Sequence, residues 1–393
     1  MERIYADYAA TTPCDSRVID AMISFNSYEK QGFGNPSSLH SFGQVALTAV
    51  DYARERCAQA ITAHRDEIVF TGCATEANNL ALSGTVAQFK KRNKDTAIPH
   101  LVISSIEHAS VLTTALQLEK DGLAHVSFIP VTKNGVVDVG AMEKMITPKT
   151  VLVSCMAVNN ETGVIQPIER IAAFLVAYKK QEKTIWPLFH TDAVQALSVL
   201  DVNVMRWGVD LATFSAHKAY GPKGVGMLFV RNDIRNAISP LIVGGDQEMG
   251  MRAGTENVSG IVGFGEAAHW CVHAYRKDAE KIKNLSDYFA RTIQEKLPGS
   301  ILWGADAPRA PHIVSLYLPS FDRLWIALDA AGVAVSSGAA CRQRQASLSH
   351  VLSAMGVFEQ QAQQTVRFSF GNYTTKKEID DLVRRVILVV SKK

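Results

Sequence analysis

The chain has 393 residues, 47% hydrophobic and 20% charged, and its 41 basic against 38 acidic side chains leave a net charge of +3. That length exceeds a single small core and predicts two unequal lobes, or one large domain with an appendage. The near-balance of charge excludes an electrostatic case for an obligatory nucleic-acid ligand or a membrane-binding patch.

The opening residues, Met1 to Asp7, contain no apolar signal core, and no stretch approaches the roughly 18 apolar residues of a bilayer span. The expected location is therefore cytoplasmic. The six cysteines, Cys14, Cys57, Cys73, Cys155, Cys271 and Cys341, are scattered, without a CxxC pair or a Cys/His cluster. Neither a disulfide framework nor a metal site is expected from that spacing.

In chain order, short apolar runs occur at 67–70, 101–104, 126–129, 151–154, 187–190, 210–214 and 225–230. Several lack polar alternation, as strands covered on both faces do. Amphipathic helical patterns lie between them, for example at 76–89 and 168–180. Such alternation predicts an α/β layer with a mostly parallel sheet, whose ligands bind beyond the carboxyl ends of the strands. From about residue 265 the pattern changes to a long amphipathic stretch over 267–296. Shorter β and helical segments follow, ending in a charged helix from Lys376. A smaller C-terminal domain is expected there.

The chemistry-bearing residues fall mainly just after the predicted strands. Lys218, in Ser215-Ala216-His217-Lys218, ends the run at 210–214. A partly desolvated lysine there suits Schiff-base formation, because burial lowers its pKa; a solvated loop lysine is the plainer alternative. Asp192, in His190-Thr191-Asp192-Ala193-Val194-Gln195, suits the acid that pyridoxal 5′-phosphate (PLP) needs beside its ring nitrogen, or else a helix N-cap. The turn Thr71-Gly72-Cys73-Ala74-Thr75 opens a helix and suits a phosphate, although Thr75 also fits a plain cap. His108 suits ring stacking and proton transfer, or a structural role. Val158-Asn159-Asn160-Glu161-Thr162-Gly163 reads as an amide-rich turn or an ordinary loop. Taken together, five such pieces at successive strand ends supply phosphate anchor, ring stack, amide, acid and lysine.

These residues, with Asp7-Tyr8-Ala9-Ala10-Thr11-Thr12-Pro13, Gly34-Asn35-Pro36-Ser37-Ser38, Thr75-Glu76-Ala77-Asn78-Asn79, Ala219-Tyr220-Gly221-Pro222-Lys223-Gly224 and Arg252-Ala253-Gly254-Thr255, resemble the class V aminotransferases. Within that family they are similar to the cysteine desulfurases, in order and over almost the whole chain. The resemblance implies an α/β, PLP-dependent transferase fold of type I. Its large domain (16–262) carries a mainly parallel seven-stranded sheet, and its smaller α+β domain (263–393) is joined by residues 1–15. It implies PLP as cofactor, L-cysteine as substrate, a homodimer with the sites at its interface, and a sulfur-acceptor protein.

Position by position, the resemblance makes Lys218 the lysine that holds the cofactor and moves the substrate α-proton. Asp192 would hold the ring nitrogen, Gln195 the ring hydroxyl, and His108 would stack on the ring and transfer protons. Asn159 would touch the ring hydroxyl or the substrate. Ala74, Thr75, Ser215 and His217 would bind the phosphate, with Thr255 reaching across from the neighbouring subunit. Arg367 would clamp the substrate carboxylate, as planar bidentate recognition favours arginine.

The run Val335-Ser336-Ser337-Gly338-Ala339-Ala340-Cys341 resembles the family's nucleophile loop, although by its chemistry alone it also reads as a structural cysteine in a small-residue turn. As nucleophile, the Cys341 thiolate would take sulfur from bound cysteine, leaving alanine and a persulfide. Three departures stand out: Arg342 and Arg344 after the cysteine, Gly72-Cys73 in the phosphate turn, and Gly371-Asn372-Tyr373 near Arg367. The alternative activities are a related class V lyase, such as a selenocysteine lyase, or an aminotransferase that does not need Cys341. A catalytically silent binding module would have no use for the lysine, acid and histidine. The acceptor stays open, because iron–sulfur assembly, tRNA thiolation and DNA sulfur modification all start from the same persulfide.

Overall fold

The structure, a computed structural model, describes residues 3–93, 98–319, 323–337 and 349–391, with the side chains of 274–276 left aside. Cys341, Arg342 and Arg344 lie outside the described residues.

A two-residue strand β1 (Ile4–Tyr5) opens the chain, and the central sheet follows: β2 (Ile68–Thr71), β3 (His100–Ser104), β4 (His125–Ile129), β5 (Thr150–Ser154), β6 (Leu188–Asp192), β7 (Leu211–Ser215) and β8 (Gly226–Val230). These are the seven apolar runs predicted above, displaced by two residues at most. Their order is β2-β8-β7-β6-β5-β3-β4. Only β8 runs against its neighbours, so the other strands end at one common edge.

Apart from the edge strand β4, these strands are buried almost throughout because both faces are covered. On β3, Leu101 and Ile103 enter a core with the helices Ala74–Arg92 and Ala109–Lys120. Val102 points to the opposite core, shared with the helices Ser41–Ala60 and Ile168–Glu182. Strands alternate sides with a period of two, so each face collects its own set of apolar residues.

The later strands are β9 (Ile301–Leu302), β10 (Ile313–Tyr317), β11 (Val333–Ala334), β12 (Ser336–Ser337) and β13 (Thr365–Ser369). An antiparallel sheet of order β12-β13-β10-β9 packs against the helix Lys376–Val390 and the later half of the helix Val258–Lys296. The chain's start joins this unit, since β1 pairs in parallel with β11 and Ile4 and Ala6 enter its core. The 39-residue helix Val258–Lys296 passes through residue 263 without a break and packs on both units. The boundary expected at that residue therefore falls inside a helix. Among the described residues, no helix is long and apolar enough to cross a membrane, and no group of three or more His, Cys, Asp or Glu could hold a metal ion.

Candidate active site

A cavity of about 370 Å³ opens at the edge where the parallel strands end. Ala74, Thr75, His108, Asp192, Gln195, Ser215, His217, Lys218 and Arg367 all line it. Asp192 and Ser215 are the last residues of β6 and β7, and Lys218 closes the single 3₁₀ turn that follows β7; Arg367 comes from the middle of β13 on the smaller sheet.

The Lys218 ammonium donates to the carbonyl oxygens of Ala9 and Ala10, at 2.6 Å each, so the N-terminal segment forms one wall. Opposite the lysine's strand, the helix Ala74–Arg92 begins at Cys73 with no side-chain cap. Its first-turn N–H groups, with the positive end of the helix dipole, are left for an anion. Gly226 makes this approach possible: a Cβ there would lie 2.7 Å from the Cys73 carbonyl carbon and 2.8 Å from the Ala74 nitrogen. Thr75, Ser215 and His217 line the same cavity. Burial, then repulsion from Lys218 and Lys223, pushes His217 down to about 4.

Asp192 is 4% exposed and accepts from Asn78 Nδ2 at 2.9 Å and from the Val194 N–H at 3.1 Å. Asn78 Nδ2 also donates to Ser110 Oγ at 2.8 Å, and Ser110 Oγ lies 2.8 Å from His108 Nδ1. The Ser110 N–H donates to the same ring nitrogen at 3.2 Å, so Nδ1 accepts and the proton of the neutral ring sits on Nε2. One amide thus ties the acid to the histidine. Beneath them, burial, then the negative charge of Asp192, raises the Glu107 carboxyl to about 8. Glu107 is therefore largely neutral at pH 7, accepting from the Met156 N–H.

Arg367, 2% exposed, donates through Nη1 to the Asn160 carbonyl at 2.7 Å and through Nη2 to Asp7 Oδ1 at 2.9 Å and Ser336 Oγ at 3.1 Å. Its Nε is buried and has no hydrogen-bond partner among the described residues. An unpaired N–H on a buried guanidinium is costly and fits an incoming carboxylate.

One expected residue is placed elsewhere. Asn159 does not line the cavity. Its amide donates to the Ile106 carbonyl and accepts from the Glu161 and Thr162 N–H groups, which fixes the turn, and Asn160 lines the cavity instead. Thr255, whose expected role is at a neighbouring subunit's site, is exposed and outside this chain's own cavity wall. Asp7, Ser336, Cys73 and Asn160 line the cavity without having been assigned roles from sequence. For Asp7 the available signal was its place in the Asp7–Pro13 motif.

The group implied by this donor set is PLP, and the residues fit it on the structure's own terms. The uncapped helix start suits a phosphate, the buried acid suits a protonated ring nitrogen, and the lysine lines the same cavity. The sequence model of the family described as Aminotransferase class-V matches residues 4–382. A curated relative, "Cysteine desulfurase IscS" of Dictyoglomus turgidum, is 40% identical over 389 residues, covering 98% of this chain and 94% of its own. Among solved structures, one titled "NIFS-LIKE PROTEIN" superposes with a TM-score of 0.89 at 35% identity, covering 99% of both chains. Another, titled "SspA in complex with cysteine", superposes with a TM-score of 0.81 at 33% identity, covering 95% of this chain and 100% of its own.

Proposed function

Because the chain belongs to the class-V aminotransferases, a family of PLP enzymes, and is a cysteine desulfurase, we propose that it removes sulfur from L-cysteine in the cavity bounded by Lys218, Asp192 and Arg367. The observation that carries the assignment is the convergence of these side chains on one space with an uncapped helix start. The solved relative with cysteine in its title supports the substrate.

Bound PLP supplies the electron sink that acidifies the substrate's α C–H and lets its sulfur leave. Lys218 holds the cofactor and moves the α-proton. Asp192, kept in place by Asn78 and the Val194 N–H, keeps a proton on the ring nitrogen. Ala74, Thr75, Ser215 and His217 receive the phosphate, and neutral His217 does so as a hydrogen-bond donor. His108 would stack on the ring, with its Nε2 proton available for transfer. Gln195 would hydrogen-bond the ring hydroxyl. Arg367 takes the substrate carboxylate, while Asn159 shapes the turn that brings Asn160 to the wall. Thr255 contributes to the phosphate site of a second subunit.

Cys341 completes the reaction. Its thiolate forms an S–S bond to the substrate sulfur as the C–S bond breaks, and the bonding pair stays on carbon, which takes a proton to become alanine. The product is a persulfide on Cys341, passed to an acceptor protein. A homodimer is the working unit, a reading supported by the apolar side chains exposed at Tyr28, Phe33, Leu39 and Phe42.

The test is the visible spectrum of the purified protein before and after L-cysteine, with alanine and sulfide assayed together. Cofactor absorbance that shifts with cysteine, and both products, are expected. Cys341→Ser is expected to keep the absorbance and lose turnover. Full turnover by that variant would overturn the persulfide route and favour the lyase alternative.

A further inference from the structure

His312 is fully packed away (6% exposed) just before β10, on the smaller sheet, yet its ring meets the active-site wall. Its Nε2 lies 3.0 Å from Oε1 of Gln195, and the Gln195 amide nitrogen donates to the Ala9 carbonyl at 2.9 Å. The same carbonyl accepts from Lys218.

The donor inventory leaves one arrangement. A backbone carbonyl only accepts, so the Gln195 –NH₂ must face Ala9 and its Oε1 must face His312. That oxygen needs a donor, so Nε2 of His312 carries the proton. The other ring nitrogen, Nδ1, is buried without a hydrogen-bond partner among the described residues, as expected of the bare nitrogen of that tautomer. Burial, then the cations Arg367, Lys218 and Arg309, pushes His312 down to about 3, so the ring stays neutral.

We propose that His312 is a positioning residue that fixes which way the Gln195 amide points, keeping its –NH₂ turned toward Ala9 and the cavity. The amide nitrogen carries two hydrogens, and Ala9 uses one. The second is then presented to an anionic oxygen on the cofactor ring. This rests on the reading that Gln195 meets the ring hydroxyl. The Ala9 carbonyl and the His312 N–H select the same orientation of the amide from its two ends. With an apolar side chain at residue 312, Oε1 is left without its donor and the Ala9 carbonyl alone holds the amide, so the second N–H is no longer held toward the ring oxygen. His312 was not singled out by any motif, because it lies more than a hundred residues from Gln195, just ahead of a strand of the smaller sheet.

The test is the pH titration of the visible absorbance of the holoenzyme. A hydrogen bond to the ring oxygen stabilises its anion, and with it the unprotonated lysine linkage. Losing it raises the midpoint of the titration, by about one pH unit for a bond to a charged group. His312→Phe and Gln195→Leu are each expected to raise the midpoint, the double variant no further than Gln195→Leu alone, and His312→Gln is expected to restore it. A wild-type midpoint in His312→Phe with a raised one in Gln195→Leu overturns the proposal and leaves the Gln195 contact standing. A second, additive rise in the double variant also overturns it. Wild-type midpoints in both single variants remove the Gln195 contact itself, and the proposal with it. Should His312→Phe not fold, ¹⁵N shifts of the His312 ring in the wild-type holoenzyme decide: a proton on Nε2 is required, and one on Nδ1 overturns the proposal.

Discussion

Lys218 and Arg367 face the same cavity but carry separable consequences. On the roles proposed for Lys218, Lys218→Ala removes the covalent anchor and the proton carrier together, and turnover is expected to fall by about 10³-fold or more. Loss of the retained visible absorbance after gel filtration checks the anchor. Arg367→Lys keeps the charge but loses the planar fork, so KM for L-cysteine is expected to rise by about tenfold, with kcat changing less. Steady-state alanine production separates the two. Glu107 carries a prediction of a different kind. Its folded carboxyl titrates near 8 and its unfolded one near 4.5, so between these values the folded state binds the extra proton. Its contribution is fully present below about pH 4.5 and is lost as pH rises toward 8. Glu107→Gln is expected to flatten that decline, read from urea midpoints of the two proteins across the same range.

At the scale of elements, the site depends on how closely a helix start approaches a strand. Gly226 on β8 lies under the first turn of the helix Ala74–Arg92, where any Cβ meets backbone atoms rather than a side chain that can turn aside. Gly226→Val is expected to displace the phosphate end, costing about 1–3 kcal/mol of stability and weakening PLP affinity. Thermal melting and cofactor titration of the apoprotein check both. A second device holds the outer edge. Glu248 receives both guanidinium nitrogens of Arg54, at 2.7 and 2.8 Å, and the Phe70 N–H of β2 at 2.8 Å. This pair is nearly buried, so Glu248→Ala strands the arginine and is expected to cost about 3 kcal/mol, measured by denaturant unfolding. Within the sheet, His190 bridges Ser154 and Thr213 at 2.9 and 3.1 Å, tying β5, β6 and β7 together one turn of the pleat below Asp192.

Across the whole molecule, the buried histidines set the acid limit. Burial depresses His190 and His312 to about 3, and burial together with the neighbouring lysines depresses His217 to about 4, against 6.5 for an ordinary ring. The unfolded chain therefore binds more protons below pH 6.5. Their contribution is present above that pH and is lost as pH falls toward 3. The apoprotein's unfolding midpoint is expected to drop steeply on this limb, in step with the protons taken up on unfolding; a flat limb would mean the rings are charged in the fold. At the same scale, the helix Val258–Lys296 packs on the cores of both units, and β1 ties the N-terminus to the smaller one by pairing with β11. We propose that residues 16–262 and 263–393, the latter with 1–15, remain functional divisions even though this helix crosses the boundary.

Much was legible in the sequence because it is local. Strands covered on both faces are rich in apolar residues, so seven such runs announced seven strands, even though β4 proves to be a largely exposed edge strand. Lysine, acid and histidine at their ends announced a site, since parallel strands deliver their carboxyl ends to one edge. What the sequence could not carry were partnerships between distant segments. Asn159 and Asn160 are adjacent amides, and only the fold of their turn decides that one is consumed by backbone groups while the other lines the cavity. Asp7 reaches Arg367 across 360 residues, and His312 reaches Gln195 across 117. Hydrogen-bond direction and desolvation depend on what is brought within about 3 Å, and chain folding, not residue order, sets that distance.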